Sequence, residues 1–143
     1  MINKAPDNKP YTLAIRVYYE DTDAGGVVYH SNYLNFFERT RTEWLRGLGY
    51  EQDELRQQEN IIFVVRNANI TYLKPARFND MVLATAEIKK MGRSSIEIYQ
   101  QLFRDNQDES PELLSTANII IVCVDAIKFK PIRIPDAIRM AME

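Results

Sequence analysis

The chain is poor in the residues that most readily betray chemistry: one cysteine and one histidine among 143 residues. A single cysteine excludes a disulfide framework within the chain and any paired-cysteine metal or redox motif. Cys123 stands in the apolar run Ile119-Ile120-Ile121-Val122-Cys123-Val124, where a buried, inert thiol is the expected role. A single histidine, His30, leaves a serine–histidine triad with one possible base and no serine placed by local motif as its partner. Walker loop, dinucleotide glycine fingerprint and Gly-x-Ser-x-Gly elbow are all missing. Eighteen Lys and Arg against twenty Asp and Glu give a net charge of −2, so no basic surface for nucleic acid or a charged membrane is expected. No apolar run is long enough to span a bilayer or to serve as a leader, and the expected location is the cytoplasm.

What is present is an ordinary globular balance, 45% hydrophobic and 27% charged, enough for one domain over residues 1–143. Residues 1–10 read as a loose lead-in. Over 11–20 apolar and polar residues alternate, with Leu13, Ile15, Val17 and Tyr19 on one face, which predicts a half-buried strand. The acidic, glycine-bearing turn 21–26 breaks it. A helix follows, with Ser31 or Asn32 as its N-cap and Gly47 and Gly49 at its end. On its wheel Tyr33, Leu34, Phe36, Phe37, Trp44, Leu45 and Leu48 share a wide arc. Arg41 falls in that arc with Glu38 at its edge, predicting an i,i+3 ion pair at the rim of the core. Residues 51–60 read as a short polar surface helix. Strands follow at 61–73, 81–91, 94–104 and 113–124, the last nearly all apolar and expected to be the most buried. The tail, 131–143, carries Pro131 and Pro135 and ends in a short helix over 136–142. One long apolar helix and strands joined by short turns predict an α+β fold, an antiparallel five-stranded sheet wrapped around a central helix. Its outer strands would remain unpaired, so dimerisation through an edge is expected.

Site and core meet in residues 18–44, YYEDTDAGGVVYHSNYLNFFERTRTEW. The run Asp21-x-Asp23-x-Gly25-Gly26 opens like a calcium loop, but Gly25 stands where an oxygen ligand is needed and Asn32 where a glutamate closes the loop. No metal and no cofactor are expected. What remains is carboxylate chemistry beside a helix N-terminus, whose free N–H groups can polarise a carbonyl. An aspartate there can attack that carbonyl or activate water against it. For Asp21, capping of the turn is favoured. For Asp23, catalysis and turn structure are evenly balanced. His30 could orient substrate or shuttle a proton, or simply sit at the helix entry bonded to a backbone carbonyl.

The block Val17-Tyr18-Tyr19-Glu20-Asp21-Thr22-Asp23-Ala24-Gly25-Gly26-Val27-Val28-Tyr29-His30, followed by Asn32-Tyr33 and Glu38 to Glu43, resembles the active-site signature of the hotdog-fold 4-hydroxybenzoyl-CoA thioesterase family. Phe63 to Arg66, Tyr72, Pro75-Ala76-Arg77, Asp80, Val122 to Asp125 and Lys130-Pro131 follow in the family's order. The likeness is greatest to its Tol-Pal-associated acyl-CoA thioesterase branch. The resemblance implies a hotdog fold and hydrolysis of acyl-CoA. It makes Asp23 the nucleophile or general base, with the N–H around His30 polarising the thioester carbonyl and the His30 side chain assisting. Gly25, Val27 and Tyr33 would be substrate-binding positions. It also implies a homodimer or homotetramer with the acyl pocket at the dimer interface. The family commonly has glycine where Asn79 stands here, and Asn tolerates the left-handed conformation. For the CoA phosphates the candidate cations are Arg93, Lys89 and Lys90, or else Lys128 and Lys130, each weighed against simple surface charge.

Two functions follow as expectations: an acyl-CoA thioesterase, or a non-catalytic module binding acyl-CoA or acyl carrier protein. Asp23, Gly25 and His30 together favour the enzyme, since a pure binder has no evident need of the carboxylate.

Overall fold

The computed structural model describes residues 10–143. Five strands form one sheet: β1 (Tyr11–Arg16), β2 (Ile61–Tyr72), β3 (Met81–Met91), β4 (Ser95–Arg104) and β5 (Glu112–Asp125). Every neighbouring pair is antiparallel, in the order β1-β3-β4-β5-β2. Three helices accompany them: α1 (His30–Gly47), α2 (Gln52–Glu59) and α3 (Asp136–Met142). The strand boundaries after α1 lie within two residues of those expected from the sequence, and the α+β class holds.

Burial explains why the elements assemble this way. On β4, Ile96, Ile98, Gln100 and Leu102 are buried at every second position, and on β5 Ala117, Ile119, Ile121 and Cys123 continue the same period. Beneath α1 the sheet offers small side chains, Ala84 and Ala86 of β3, and α1 brings large ones, Phe36 and Phe37, both wholly buried. Each such phenylalanine contributes about 2–3 kcal/mol from burial. The helix ends as its glycines predict. Gly49 adopts φ +102, its N–H donates to Arg46 O, and the Tyr50 N–H donates to Leu45 O, the paired bonds of a Schellman motif.

Several expectations needed correction. β1 stops at Arg16, and a single 3-10 turn, Tyr19–Asp21, leaves Tyr19 exposed and stacked on Phe78 with ring centroids 3.9 Å apart. Leu34 lies outside the buried face of α1, with 42% of its surface exposed. Helix α1 starts earlier than Ser31, with Tyr29 as N-cap, because the Asn32 side chain is spent on the Asp21 carbonyl (2.8 Å). The polar helix α2 buries one residue, Leu55.

Arg41 does not pair with Glu38. Its Nη1 donates to Gln100 Oε1 at 2.8 Å, while Glu38 accepts from Thr42 Oγ1. Gln100, wholly buried, in turn donates Nε2 to the carbonyls of Phe37 (3.1 Å) and Thr85 (3.2 Å). The β3–β4 ladder skips Thr85 and Ala86 at this point, and the Gln101 N–H is met instead by Thr85 Oγ1 at 3.0 Å. Side chains thus replace backbone bonds where α1 crosses the sheet. The polar seam satisfies groups that burial would otherwise penalise.

Gln100→Leu keeps the volume but removes the one hydrogen-bond partner of the Arg41 guanidinium and the side-chain donor to the Phe37 and Thr85 carbonyls, so urea unfolding is expected to show a loss of about 2–3 kcal/mol. Burial pushes the Cys123 thiol up from 9.0 to about 11. The native state therefore holds the proton that the unfolded chain releases, and this contribution is intact below pH 9 and lost as pH rises towards 11. The phenols of Tyr11 and Tyr33, which burial also raises, steepen the same limb. Urea midpoints measured from pH 8 upward are expected to fall in wild type and to fall less in Cys123→Ala. At pH 8 a thiol reagent should label Cys123 only after denaturant is added.

Candidate active site

The turn before α1 closes on itself. Asp23 N–H donates to Val27 O at 2.9 Å, Gly26 N–H donates to Asp23 O at 3.0 Å, and Thr22 and Val28 form a bridge. Gly26 takes φ +80, a left-handed conformation that an L side chain adopts only at a cost. A second backbone, the turn between β2 and β3, lies alongside: Val28 N–H donates to Ala76 O (2.8 Å) and Phe78 N–H to Gly26 O (3.1 Å). Asn79 in that turn has φ +70, so it does adopt the conformation for which glycine would be the easy choice.

The two aspartates have different environments. Asp21 is buried, and its Oδ2 accepts the Tyr18 N–H at 2.9 Å, the capping role expected of it. Its carbonyl receives both the Tyr29 N–H and the Asn32 side chain, which clamps the entry to α1. Asp23 is exposed. Its Oδ1 accepts the Gly25 N–H at 2.8 Å, and Oδ2 has no protein partner among the described residues. A Cβ on residue 25 would stand 3.3 Å from Oδ1, so the absence of a side chain there leaves the carboxylate its position.

At the head of α1 the N–H groups of His30 and Ser31 find no acceptor among the described residues, and no acidic side chain occupies the first turn. The positive end of the helix is therefore unspent. The His30 ring packs against Tyr72 at 4.8 Å, and Tyr72 Oη reaches His30 O at 3.3 Å. A cleft of about 210 Å³ opens here, lined by Val27, His30, Tyr33, Tyr72, Lys74 and Pro75. Tyr33 is anchored in the core by its hydroxyl, which accepts the Ala76 N–H at 2.9 Å, so it presents ring rather than hydroxyl to the cleft.

Behind the cleft a charged cluster fixes the β2–β3 turn. Arg104 donates to Asp80 Oδ2 (3.0 Å), to Pro75 O (2.6 Å) and to Glu112. Asp80 also accepts the Arg77 N–H at 2.9 Å. Lys74 meets Glu112 at 2.8 Å, and together with Arg104 it holds that carboxyl below the usual range.

Of the sequence-predicted positions, Asp23, Gly25, Val27, His30 and Tyr33 gather at this end of the molecule. Lys89, Lys90 and Arg93 do not. They sit at the β3–β4 hairpin, and nine residues of strand, about 30 Å, separate Lys89 from Asp80 behind the cleft. Lys89 there packs over the Tyr99 ring at 5.3 Å, and the Arg93 carbonyl accepts bonds from Ile134 N–H and Arg139. Lys128 and Lys130 lie in the turn after β5, whose end pairs with the start of β2 rather than with Tyr72. Within one chain no candidate CoA cation reaches the cleft. Sequence reasoning passed over the packing of Tyr72 on His30 and the place of Lys74 in the cleft wall. An aromatic closing a strand just before Lys-Pro was the available signal.

Residues 25–110 match the sequence profile of the thioesterase superfamily. The chain belongs to that superfamily. Acyl-CoA thioesterase YbgC of Haemophilus influenzae is 40% identical over 131 residues, covering 92% of this chain and 93% of its own. Acyl-CoA thioester hydrolase YbgC of Escherichia coli O157:H7 is 44% identical over 124 residues, 87% and 89% of the two chains. Among solved structures, a probable thioesterase from Bartonella henselae is 32% identical, covers 90% of this chain and 100% of that one, and superposes with a TM-score of 0.76. A 4-hydroxybenzoyl CoA thioesterase mutant complexed with 4-hydroxybenzoyl CoA reaches TM-score 0.86 over 92% of this chain and 97% of its own, at 18% identity, a likeness of fold alone. The hotdog architecture and the thioesterase family expected from the motif are both borne out, and the branch is consistent with the YbgC relatives.

Gly25→Ala should press the new methyl on Asp23 Oδ1 and shift the carboxylate by a few tenths of an ångström. If Asp23 does chemistry, thioester turnover is expected to fall about tenfold with little change in melting temperature. An unchanged rate would show that the carboxylate accommodates the methyl without losing its working position.

Proposed function

We propose that the protein is an acyl-CoA thioesterase that uses Asp23 as its working carboxylate. The carrying observation is an exposed carboxylate with one oxygen unspent, in the turn that leads directly into a helix whose first N–H groups, of His30 and Ser31, are also unspent. The thioester carbonyl oxygen accepts these N–H bonds, which strengthen as negative charge develops on it. Asp23 then acts in one of two ways. As base it takes a proton from water while the water oxygen bonds to the carbonyl carbon. As nucleophile it forms a mixed anhydride that water cleaves. In both the C–S bond breaks, the sulfur leaves with the electron pair and is protonated, and a carboxylate is released. His30, packed on Tyr72 at the cleft mouth, orients substrate or carries that proton. Val27 and Tyr33 line the cleft around the acyl group, and Gly25 serves the site by holding the Asp23 carboxylate.

β2 is an edge strand of twelve residues with Val65 and Tyr72 exposed, suited to pairing with a second copy in a dimer or a tetramer. Only from another copy could Lys89, Lys90 and Arg93, or Lys128 and Lys130, reach CoA bound at this cleft. Acyl carrier protein, which presents the same thioester, is a second possible carrier. No described helix is long and apolar enough to cross a membrane.

Thiol release from short, long and aromatic acyl-CoA thioesters is the test, with Asp23→Asn run beside wild type. A loss of about 10²–10⁴-fold in kcat is expected with folding intact. Equal rates would show that Asp23 is not the working carboxylate. Tight binding of acyl-CoA without turnover by wild type would make the protein a binding module.

A further inference from the structure

A second cavity, of about 230 Å³, lies at the other end of α1. Its apolar walls are Trp44, Leu45, Phe63, Ile98, Ile121 and Met142. That volume exceeds the roughly 150 Å³ of an engineered apolar cavity that takes benzene. Its polar wall is the Arg41 guanidinium, eleven residues and about 16 Å along the helix from His30. The positive charge here is incompletely answered. Arg41 has one hydrogen bond, to the neutral Gln100, and no carboxylate within 4 Å among the described residues. Burial lowers its pKa, an effect the more distant Glu38 opposes. Glu38 also borders the cavity, but its carboxylate accepts the Thr42 hydroxyl, which is itself held by Gln52 Nε2 at 3.2 Å. A partly desolvated guanidinium with free donors over an apolar chamber calls for one kind of group, a carboxylate carried on a hydrocarbon.

We infer that the cavity beside Arg41 is a binding site for an alkyl carboxylate, with the hydrocarbon against Trp44 and Phe63 and the carboxylate on the Arg41 guanidinium. Such a group has two sources. One is a free fatty acid, the product class of the proposed reaction. The other is the far end of an acyl chain that carries a second carboxylate. The inference goes beyond the proposed hydrolysis, and its binding arm does not depend on turnover.

Trp44 is the sole tryptophan and lines the cavity, so its emission reports occupancy directly. Sodium octanoate should change Trp44 emission saturably, with and without excess CoA, and 1-octanol should bind at least tenfold more weakly. Arg41→Gln should weaken octanoate at least tenfold and leave octanol nearly unchanged. Because that variant also loses a bond to Gln100, Val65→Phe provides an independent block: it narrows the cavity without touching the polar seam, and should weaken both ligands. A parallel arm compares kcat/KM for hexadecanoyl-CoA, long enough to span from His30 to Arg41, with that for an acyl-CoA of the same length ending in a carboxylate. A selective tenfold loss for the latter in Arg41→Gln would assign the site to the substrate tail. Loss confined to free octanoate would assign it to the free acid. The inference is overturned if emission does not respond, if octanol binds as tightly as octanoate, or if Val65→Phe binds octanoate like wild type.

Discussion

The candidate site rests on the pairing of two turns that are far apart in the chain. Val28 N–H on Ala76 O and Phe78 N–H on Gly26 O hold the loop before α1 against the loop between β2 and β3. The Tyr33 hydroxyl under the Ala76 N–H makes the same connection from inside the core. Remove this seam and the acidic turn has no fixed relation to the head of α1. Burial of Phe36 and Phe37 against β3 sets where the helix lies, but these few bonds set where its first N–H groups face. A modest number of well-made bonds positions chemistry that a much larger hydrophobic area only carries.

Polar groups inside the molecule are used in two different ways. Gln100 is fully answered by Arg41, Phe37 O and Thr85 O, and so fastens helix to sheet. Arg104 ties Asp80, Glu112 and Pro75 O together and fastens the wall of the cleft. In contrast Asp23 and Arg41 keep unused capacity: one carboxylate oxygen in the first case, most of a guanidinium fork in the second. Satisfied groups hold shape and unsatisfied ones invite a ligand.

Much of this was legible from the residues. Alternation placed β3 and β4 because one face of each is buried and the period is two, and a nearly continuous apolar run placed β5. Gly49 announced the end of α1 because only a residue at ease with positive φ fits there. The motif around Asp23 drew attention to the right end of the molecule, although its spacing alone left catalysis and turn formation balanced. The failures have a common cause, which is competition by a tertiary partner. Tyr19 left its strand face to stack on Phe78, 59 residues later, and Asn32 gave up capping to reach Asp21 O. Arg41 ignored Glu38 one turn away for Gln100 on β4. Lys89, Lys90 and Arg93 seemed apt as cations, but nothing local reveals that a strand of eleven residues carries them to the far end.

The separation in sequence of the paired turns bears on how the protein reaches its native state. Helix α1 is local and can form early, whereas Val28 meets Ala76 and Tyr33 meets Ala76 only after long stretches of chain have closed into loops. Arg104 must then arrive from β4, and Glu112 from β5, before the β2–β3 turn is pinned. Loop closure of this kind is slow compared with helix formation. During refolding, helical signal is therefore expected to recover before the cleft forms. The cleft is assembled among the last features, and partly folded chains carry the whole motif without the geometry that gives it meaning.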